Sequence, residues 1–480
     1  MCTKLPFHSI LNQFQIIFKK LPLAELHVHG LNVPKKKNIN IKKQNPKPTQ
    51  LMKTISYIIV LFLIVVSCSK QTKQQITNPK DYANYLKVTE NVSLKNAQEE
   101  LEFWSAKLST TPNQYPYLQK IAAANTQLFS ITGNIEYLKE AENNLLQANE
   151  KTNYDNAGYL RSLARNYVSQ HRFKEALSLL LKAEQNGENR QLTEFQLIDV
   201  YLELGNIKKA EEYLSNVKDF NSFEYLIRIS KFSDAIGNLD SAINYLEKAL
   251  KKIENSNKSD LLEWTYTNLG DYYGHAGRLQ DSYQSYLKAL AINPTNSYAK
   301  KGIAWIIFSH EKNPAKSLDI LAAIEQETMA PDLHLLKAEI AEYSGNFAEK
   351  EQQIKQYFTA VNNEKYGAMY AKYNVVLLAD DKTKVKEAIE IAKKEVLERP
   401  TAQSYDLLAW AYFKNGDVKK ALSITEKQVI PHTFEPELLF HAVQILKANN
   451  KNKEADLLVA DLKESSFELG PNTAKILTKL

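Results

Sequence analysis

The chain has 480 residues, 44% of them hydrophobic, and carries 61 basic against 55 acidic side chains, a net charge of +6. Ten of the lysines and a single acid, Glu25, fall in residues 1–67, which leaves residues 68–480 with 51 basic and 54 acidic groups, a net −3. The body therefore lacks the basic balance that nucleic-acid binding draws on. With only Cys2 and Cys68 present it has no disulfide framework and no cysteine metal site, so apolar burial must hold it together.

Residues 1–51 hold nine lysines and no long periodic segment, and they read as an upstream extension outside the protein proper. Within them, Leu21 to Gly30 (LPLAELHVHG) resembles the first strand of the adenosine deaminase family, whose paired histidines bind catalytic zinc. His27 and His29, two apart on a strand, would share a face. Such a site also needs a third histidine and an aspartate on later barrel strands. Nothing downstream reads as barrel strands, so neither a metal nor a cofactor is expected.

Residues 52–70, MKTISYIIVLFLIVVSCSK, open with one positive charge and continue as an apolar core from Ile55 to Val66. A membrane-spanning helix needs roughly 20 apolar residues; this core is shorter and fits the apolar region of a secretory signal. Val65-Val66-Ser67-Cys68 resembles the lipobox of bacterial lipoproteins. The resemblance implies a signal peptide over 52–67, cleavage before Cys68 and a diacylglycerol on its thiol. Ser69 to Lys73 has no aspartate at the second position and no acidic run. By the same resemblance this implies the bacterial cell envelope, on the periplasmic face of the outer membrane. Residues 68–80 read as a tether.

Beyond the tether the chain is helical and repetitive. Asp81 to Gln114 reads as two amphipathic helices, with Trp104 near the end of the second and Pro112 behind it, and residues 81–118 are expected to form N-terminal capping helices. Residues 119–465 repeat with a period near 34, about ten helix pairs, followed by a C-terminal tail over 466–480. In the clearest unit, Glu263–Asn296, apolar side chains at positions 4, 7 and 11 (Tyr266, Leu269, Tyr273) make one helical stripe, while Tyr286 and Ala289 lie on the next. Small residues at positions 8, 20 and 27 (Gly270, Ser282, Ala289) allow close helix approach, and Pro294 ends the second helix. Further units start at Ala157, Gln191, Phe223 and Ser297, and another holds Tyr405 to Ala421; weaker copies lie at 119–152, 331–360 and 369–400. The pattern resembles the tetratricopeptide repeat, which implies an all-α fold, a right-handed superhelical α-solenoid of helix pairs.

No catalytic motif interrupts the repeats, and the six histidines of the body, at 171, 275, 310, 334, 432 and 441, are scattered singly. The expectation is therefore not an enzyme. In the resembled family the first helix of each unit lines the concave groove through positions 2, 5, 9, 12 and 13. Carried over, these are Arg161 and Arg165; Phe195 and Asp199; Trp264, Asp271 and His275; Lys301, Trp305 and Phe308; and Asp406, Trp410 and Phe413. Two units place Trp at position 9 and Phe at position 12, in IAWIIF (303–308) and LAWAYF (408–413). These aromatics either serve a ligand or are covered by a later helix or the tail. The expected function is a lipid-anchored protein–protein interaction scaffold whose protein or peptide partner sits in the groove, with a glycan- or small-ligand-binding outer-membrane lipoprotein as the alternative.

Overall fold

A computed structural model describes residues 75–87, 90–256 and 258–480. The extension, the signal segment, the His27/His29 pair and Cys68 lie outside the described residues. Among the described residues every regular element is helical. A short helix α1 (Pro79–Tyr82) and a single turn at Tyr85–Lys87 precede the long helix α2 (Val92–Thr110). Ten helix pairs follow: α3 (Pro116–Thr132) with α4 (Ile135–Lys151), α5 (Ala157–Ser169) with α6 (Phe173–Asn186), α7 (Arg190–Glu203) with α8 (Ile207–Asn216), α9 (Phe223–Ala235) with α10 (Leu239–Ile253), α11 (Ser259–His275) with α12 (Leu279–Ile292), α13 (Ser297–Trp305) with α14 (Pro314–Glu325), α15 (Asp332–Tyr343) with α16 (Phe347–Val361), α17 (Ala371–Ala379) with α18 (Val385–Glu398), α19 (Ala402–Lys414) with α20 (Val418–Ile424), and α21 (Pro436–Ala448) with α22 (Asn452–Leu462). Helix α23 (Gly470–Leu477) comes last.

The turn inside nine of the ten pairs follows one recipe, the α17/α18 turn being the exception. A residue in the left-handed region ends the first helix, and it is glycine at 133, 205, 237, 277, 345 and 416, where the missing Cβ makes that conformation inexpensive. An asparagine then commonly caps the second helix: Asn134, Asn206, Asn238 and Asn346 each accept a hydrogen bond from a backbone N–H two or three residues on. In the α13 unit a π-helical turn, Ile306–His310, inserts one extra residue. The left-handed position accordingly slips by one, onto Lys312.

Close approach within pairs rests on small side chains. Ala176, Ala210, Ala242, Ala388, Ala421 and Ala455 recur at position 20 and have no exposed surface. Where a serine takes part, its hydroxyl bridges the two helices: Ser230 to the Ala242 carbonyl (2.7 Å), Ser282 to that of Gly270 (2.6 Å) and Ser317 to that of Ala304 (2.9 Å). The ring of Tyr286 lies between two first helices, over Gly270 of α11 and Gly302 of α13, where a Cβ would come within 2.5 and 2.4 Å of it. No larger residue fits at either glycine without displacing the ring.

Later pairs return to touch earlier ones edge to edge. Arg399, just after α18, donates to the Glu203 carbonyl at the end of α7 (2.6 Å) and pairs with the Glu203 carboxylate (2.9 Å), 196 residues away along the chain. Its guanidinium also lies over the Phe173 ring, 5.2 Å from the centroid. Similar junctions join Met329 to Thr132 (the Met329 N–H donating to the Thr132 carbonyl, 2.7 Å), Gly205 to Thr401, Gly237 to the Phe434 ring and Gly274 to Phe467. The first three set the turn inside one pair against the start of a later first helix, and the last sets the end of α11 against the turns before α23.

Both ends are folded down. The stretch read as a tether is described from Gln75 onward, and there it is held rather than loose. The N–H groups of Ile76 and Thr77 donate to Glu311 (2.9 and 2.6 Å), and Asn78 exchanges hydrogen bonds with the Tyr283 hydroxyl on α12 (3.1 Å each). Tyr82 is buried in the cluster formed by Tyr283, Ile320 and Leu321. The C-terminal tail is likewise a packed helix, α23, lying against α15 and the π turn after α13.

Candidate functional site

The expected groove residues sit on the first helices, but most are covered. In the early units Arg161 is buried, its guanidinium donating to the Glu188 carbonyl (2.8 Å) and to Thr193 (3.1 Å). Phe195 and Asp199 are tied to the next unit by Arg228, which donates to the Phe195 carbonyl (2.8 Å), lies 4.6 Å over its ring and pairs with Asp199 (3.1 Å). Arg165 stays exposed and Trp264 half-exposed.

The middle of the face is occupied. Asp271 accepts from the Tyr286 hydroxyl (2.6 Å) and from that of Tyr298. Burial pushes its carboxyl up to about 6, against the downward pull of the two hydroxyls. His275 pairs with Glu468 (3.0 Å); burial opposes its charge, yet the Glu468 carboxylate outweighs that and raises its pKa. Lys301 pairs with Asp332 of the following first helix. Trp305 is only 7% exposed, packed edge-on against Phe308 (5.9 Å) and Phe467 (6.5 Å), and Phe308, at 0%, is covered by Tyr343 (5.5 Å). What remains beside them, lined by Asp271, His275, Tyr286, Trp305, Phe467 and Glu468, has room for about one water molecule.

At the far end Trp410, 5% exposed, stacks on His441 of α21 (3.9 Å, 14° between planes), with Phe413 beside it and the Lys414 ammonium 4.6 Å from its ring. His441 also holds Asp406 (2.8 Å). Burial raises the Asp406 carboxyl, and Asp406 in turn outweighs burial to raise His441.

Of the two readings of the Trp305/Phe308 and Trp410/Phe413 pairs, the geometry favours cover by a later helix or the tail over an exposed ligand surface. Each pair is closed by a different element, the first by residues after α22 and the second by the next first helix. Sequence reading also missed three buried carboxyls: Asp234 and Glu435, both pushed well up by burial, and Glu339, pushed up to about 8 by burial and by nearby Glu342. Glu435 is 2% exposed and neither of its carboxyl oxygens has a hydrogen-bond partner. Asp234 occupies position 12 of the Phe223 unit, a lining position, so the repeat frame could have found it; Glu435 precedes α21 and carries no such signal. Among the described residues no group of histidines and carboxylates is arranged to hold a metal ion. Nor is any described helix long and apolar enough to cross a membrane.

Residues 223–251 and 265–296 match the tetratricopeptide repeat profile, and no curated relative matches the chain in sequence. Among solved structures it is similar to the human IFIT1 dimer with m7Gppp-AAAA, at 15% identity over 69% of this chain and 77% of that one, with a TM-score of 0.41. It is also similar to YrrB, described as a TPR protein with an unusual peptide-binding site (19% identity, 41% of this chain and 95% of that one, TM-score 0.24), and to MamA (17%, 43%, 93% and 0.24). The chain is an all-α solenoid of helix pairs that carries tetratricopeptide repeats.

Proposed function

We propose that this protein is an interaction scaffold that holds a protein or peptide partner against its first-helix face, and that it does so at the bacterial cell envelope, anchored through lipid on Cys68. The observation that carries the binding reading is that this face already holds a peptide segment, residues 467–472, through lining positions 9, 12 and 13 of successive units. The lipid anchor rests on the apolar run and Val65-Val66-Ser67-Cys68 alone. The glycan alternative is less favoured, because ring stacking on a sugar requires open aromatic faces and Trp305 and Trp410 are buried.

Two experiments test the reading. Crosslinking of the tagged chain in envelope fractions should capture a discrete protein partner. Arg165→Glu, an exposed change on the first-helix face, should weaken capture while leaving the melting temperature unchanged; unaltered capture would move the partner elsewhere. Mass spectrometry should find a diacylated N-terminus at Cys68, and Cys68→Ala should release the protein from membranes. An intact membrane-bound chain from Met1 would remove the anchor from the proposal.

A further inference from the structure

The segment after α22 contacts the first-helix face as a bound peptide would. Residues 463–469 form successive turns, not a helix, so the side chains of Phe467 and Glu468 reach the face from irregular backbone. The Phe467 ring meets Trp305 at 6.5 Å and covers Gly274, where a Cβ would lie 3.2 Å from it. Its carbonyl accepts from the Ser309 hydroxyl in the π turn. Glu468 pairs with His275 at 3.0 Å. Gly470, with φ of +75°, passes so close that a Cβ would come 3.0 Å from the Trp305 indole, and Asn472 donates to the Glu339 carbonyl (2.9 Å). An aromatic ring, an acidic group, a glycine and an amide thus read α11, α13 and α15 in turn.

We infer that residues 463–474 are a ligand held in cis, and that the partner this face accepts presents the same chemistry: an aromatic residue, then an acidic residue, then a glycine, on turns that lead into a short helix and displace Phe467 and Glu468. The inference rests on the binding reading above and gives it a ligand class. The seam bears marks of a contact made to open. Glu435, buried with both oxygens unpartnered, lies in the field of Glu468, and a water-sized gap remains beside Phe467. A buried carboxyl with neither oxygen paired is uncommon in a well-packed core and calls for an explanation, which a releasable segment supplies.

The test uses the full chain and a fluorescein-labelled synthetic peptide of residues 463–474, KESSFELGPNTA. In wild type the cis segment competes, so the peptide's apparent affinity is reduced by the fraction of molecules whose face is open. Phe467→Ala with Glu468→Ala in the full chain should tighten peptide binding by about tenfold or more. A peptide with alanine for the phenylalanine should not bind, and adding His275→Ala to the double variant should weaken binding again. Equal affinity for wild type and a folded double variant overturns the inference. Should the double variant lose its fold, hydrogen exchange on wild type decides: amides of 466–474 exchanging through a local opening support a releasable segment, and exchange only through global unfolding overturns it. The two readings fail separately. Envelope capture that depends on Arg165 but ignores excess peptide leaves the scaffold standing and removes the cis ligand, whereas loss of both removes the binding face itself.

Discussion

At the scale of single residues, Gly302 and Trp305 show how a repeat frame constrains chemistry. A glycine inside a helix is ordinarily worth replacing, since alanine gains about 1 kcal/mol of helix propensity. At Gly302 the new methyl would sit 2.4 Å from the Tyr286 ring, whose hydroxyl is fixed on Asp271 and which is itself wedged against Gly270. Overpacking of this kind costs about 1–3 kcal/mol, so the clash outweighs the propensity. Gly302→Ala should lower the melting temperature in a thermal scan, and Gly270→Ala likewise. Trp305→Ala should now behave as a core deletion, destabilising by about 3–5 kcal/mol. Phe467→Ala should lower stability less, because its ring is only half-buried. Equal melting temperatures for wild type and Trp305→Ala would return the indole to the surface.

At the scale of elements, the helix pairs were legible and their burial was not. The stripe of positions 4, 7 and 11, the alanine at 20 and the glycine turn are local, and periodicity reports local structure directly. The two aromatic pairs looked alike in sequence, yet Trp305 is closed by Phe467, 162 residues later, and Trp410 by His441 of the next unit. No spacing rule distinguishes a lining residue that meets solvent from one that meets a distant segment. The same blindness hid Glu339, whose neighbours Gly470 and Asn472 come from α23. That carboxyl has a measurable consequence. Its pKa rises from an ordinary 4.5 to about 8 in the folded state, so between those values the folded chain binds more protons than the unfolded one, and stability falls as pH rises. The raised His275 acts in the same direction, its contribution complete below its unfolded pKa and lost as pH rises through the folded one. His171, held down to about 4 by burial and by Arg399, opposes both by penalising descent below its ordinary 6.5. Melting temperature should therefore be lower at pH 8 than at pH 6. Glu339→Gln should raise it at pH 8 and have little effect at pH 5; a uniform shift at both would mean the carboxyl is not the source.

At the scale of the whole described unit, the junctions between distant pairs change what kind of solenoid this is. Repeat arrays are usually quasi-one-dimensional, each unit answering only to its neighbours. Here Arg399 and Glu203, each about one-tenth exposed, tie α18 to α7. Removing one partner of such a buried pair typically costs about 3–5 kcal/mol. Arg399→Ala should accordingly speed hydrogen exchange in two places at once, at 171–205 and at 397–403, and the radius of gyration from solution scattering should grow. Faster exchange confined to α18 and α19 would show the junction to be dispensable.

The separation of 196 residues between Glu203 and Arg399 also sets a schedule for synthesis. A bare array of helix pairs can fold from its first unit as it emerges, whereas Glu203, Phe173 and the Gly237 turn must wait for partners not yet translated. At about 5–20 residues per second that delay is roughly 10–40 s, during which a half-made chain presents an unsealed edge. The nascent chain is thus most exposed to wrong association, and most in need of a holding chaperone, after its early repeats are helical and before its late ones arrive.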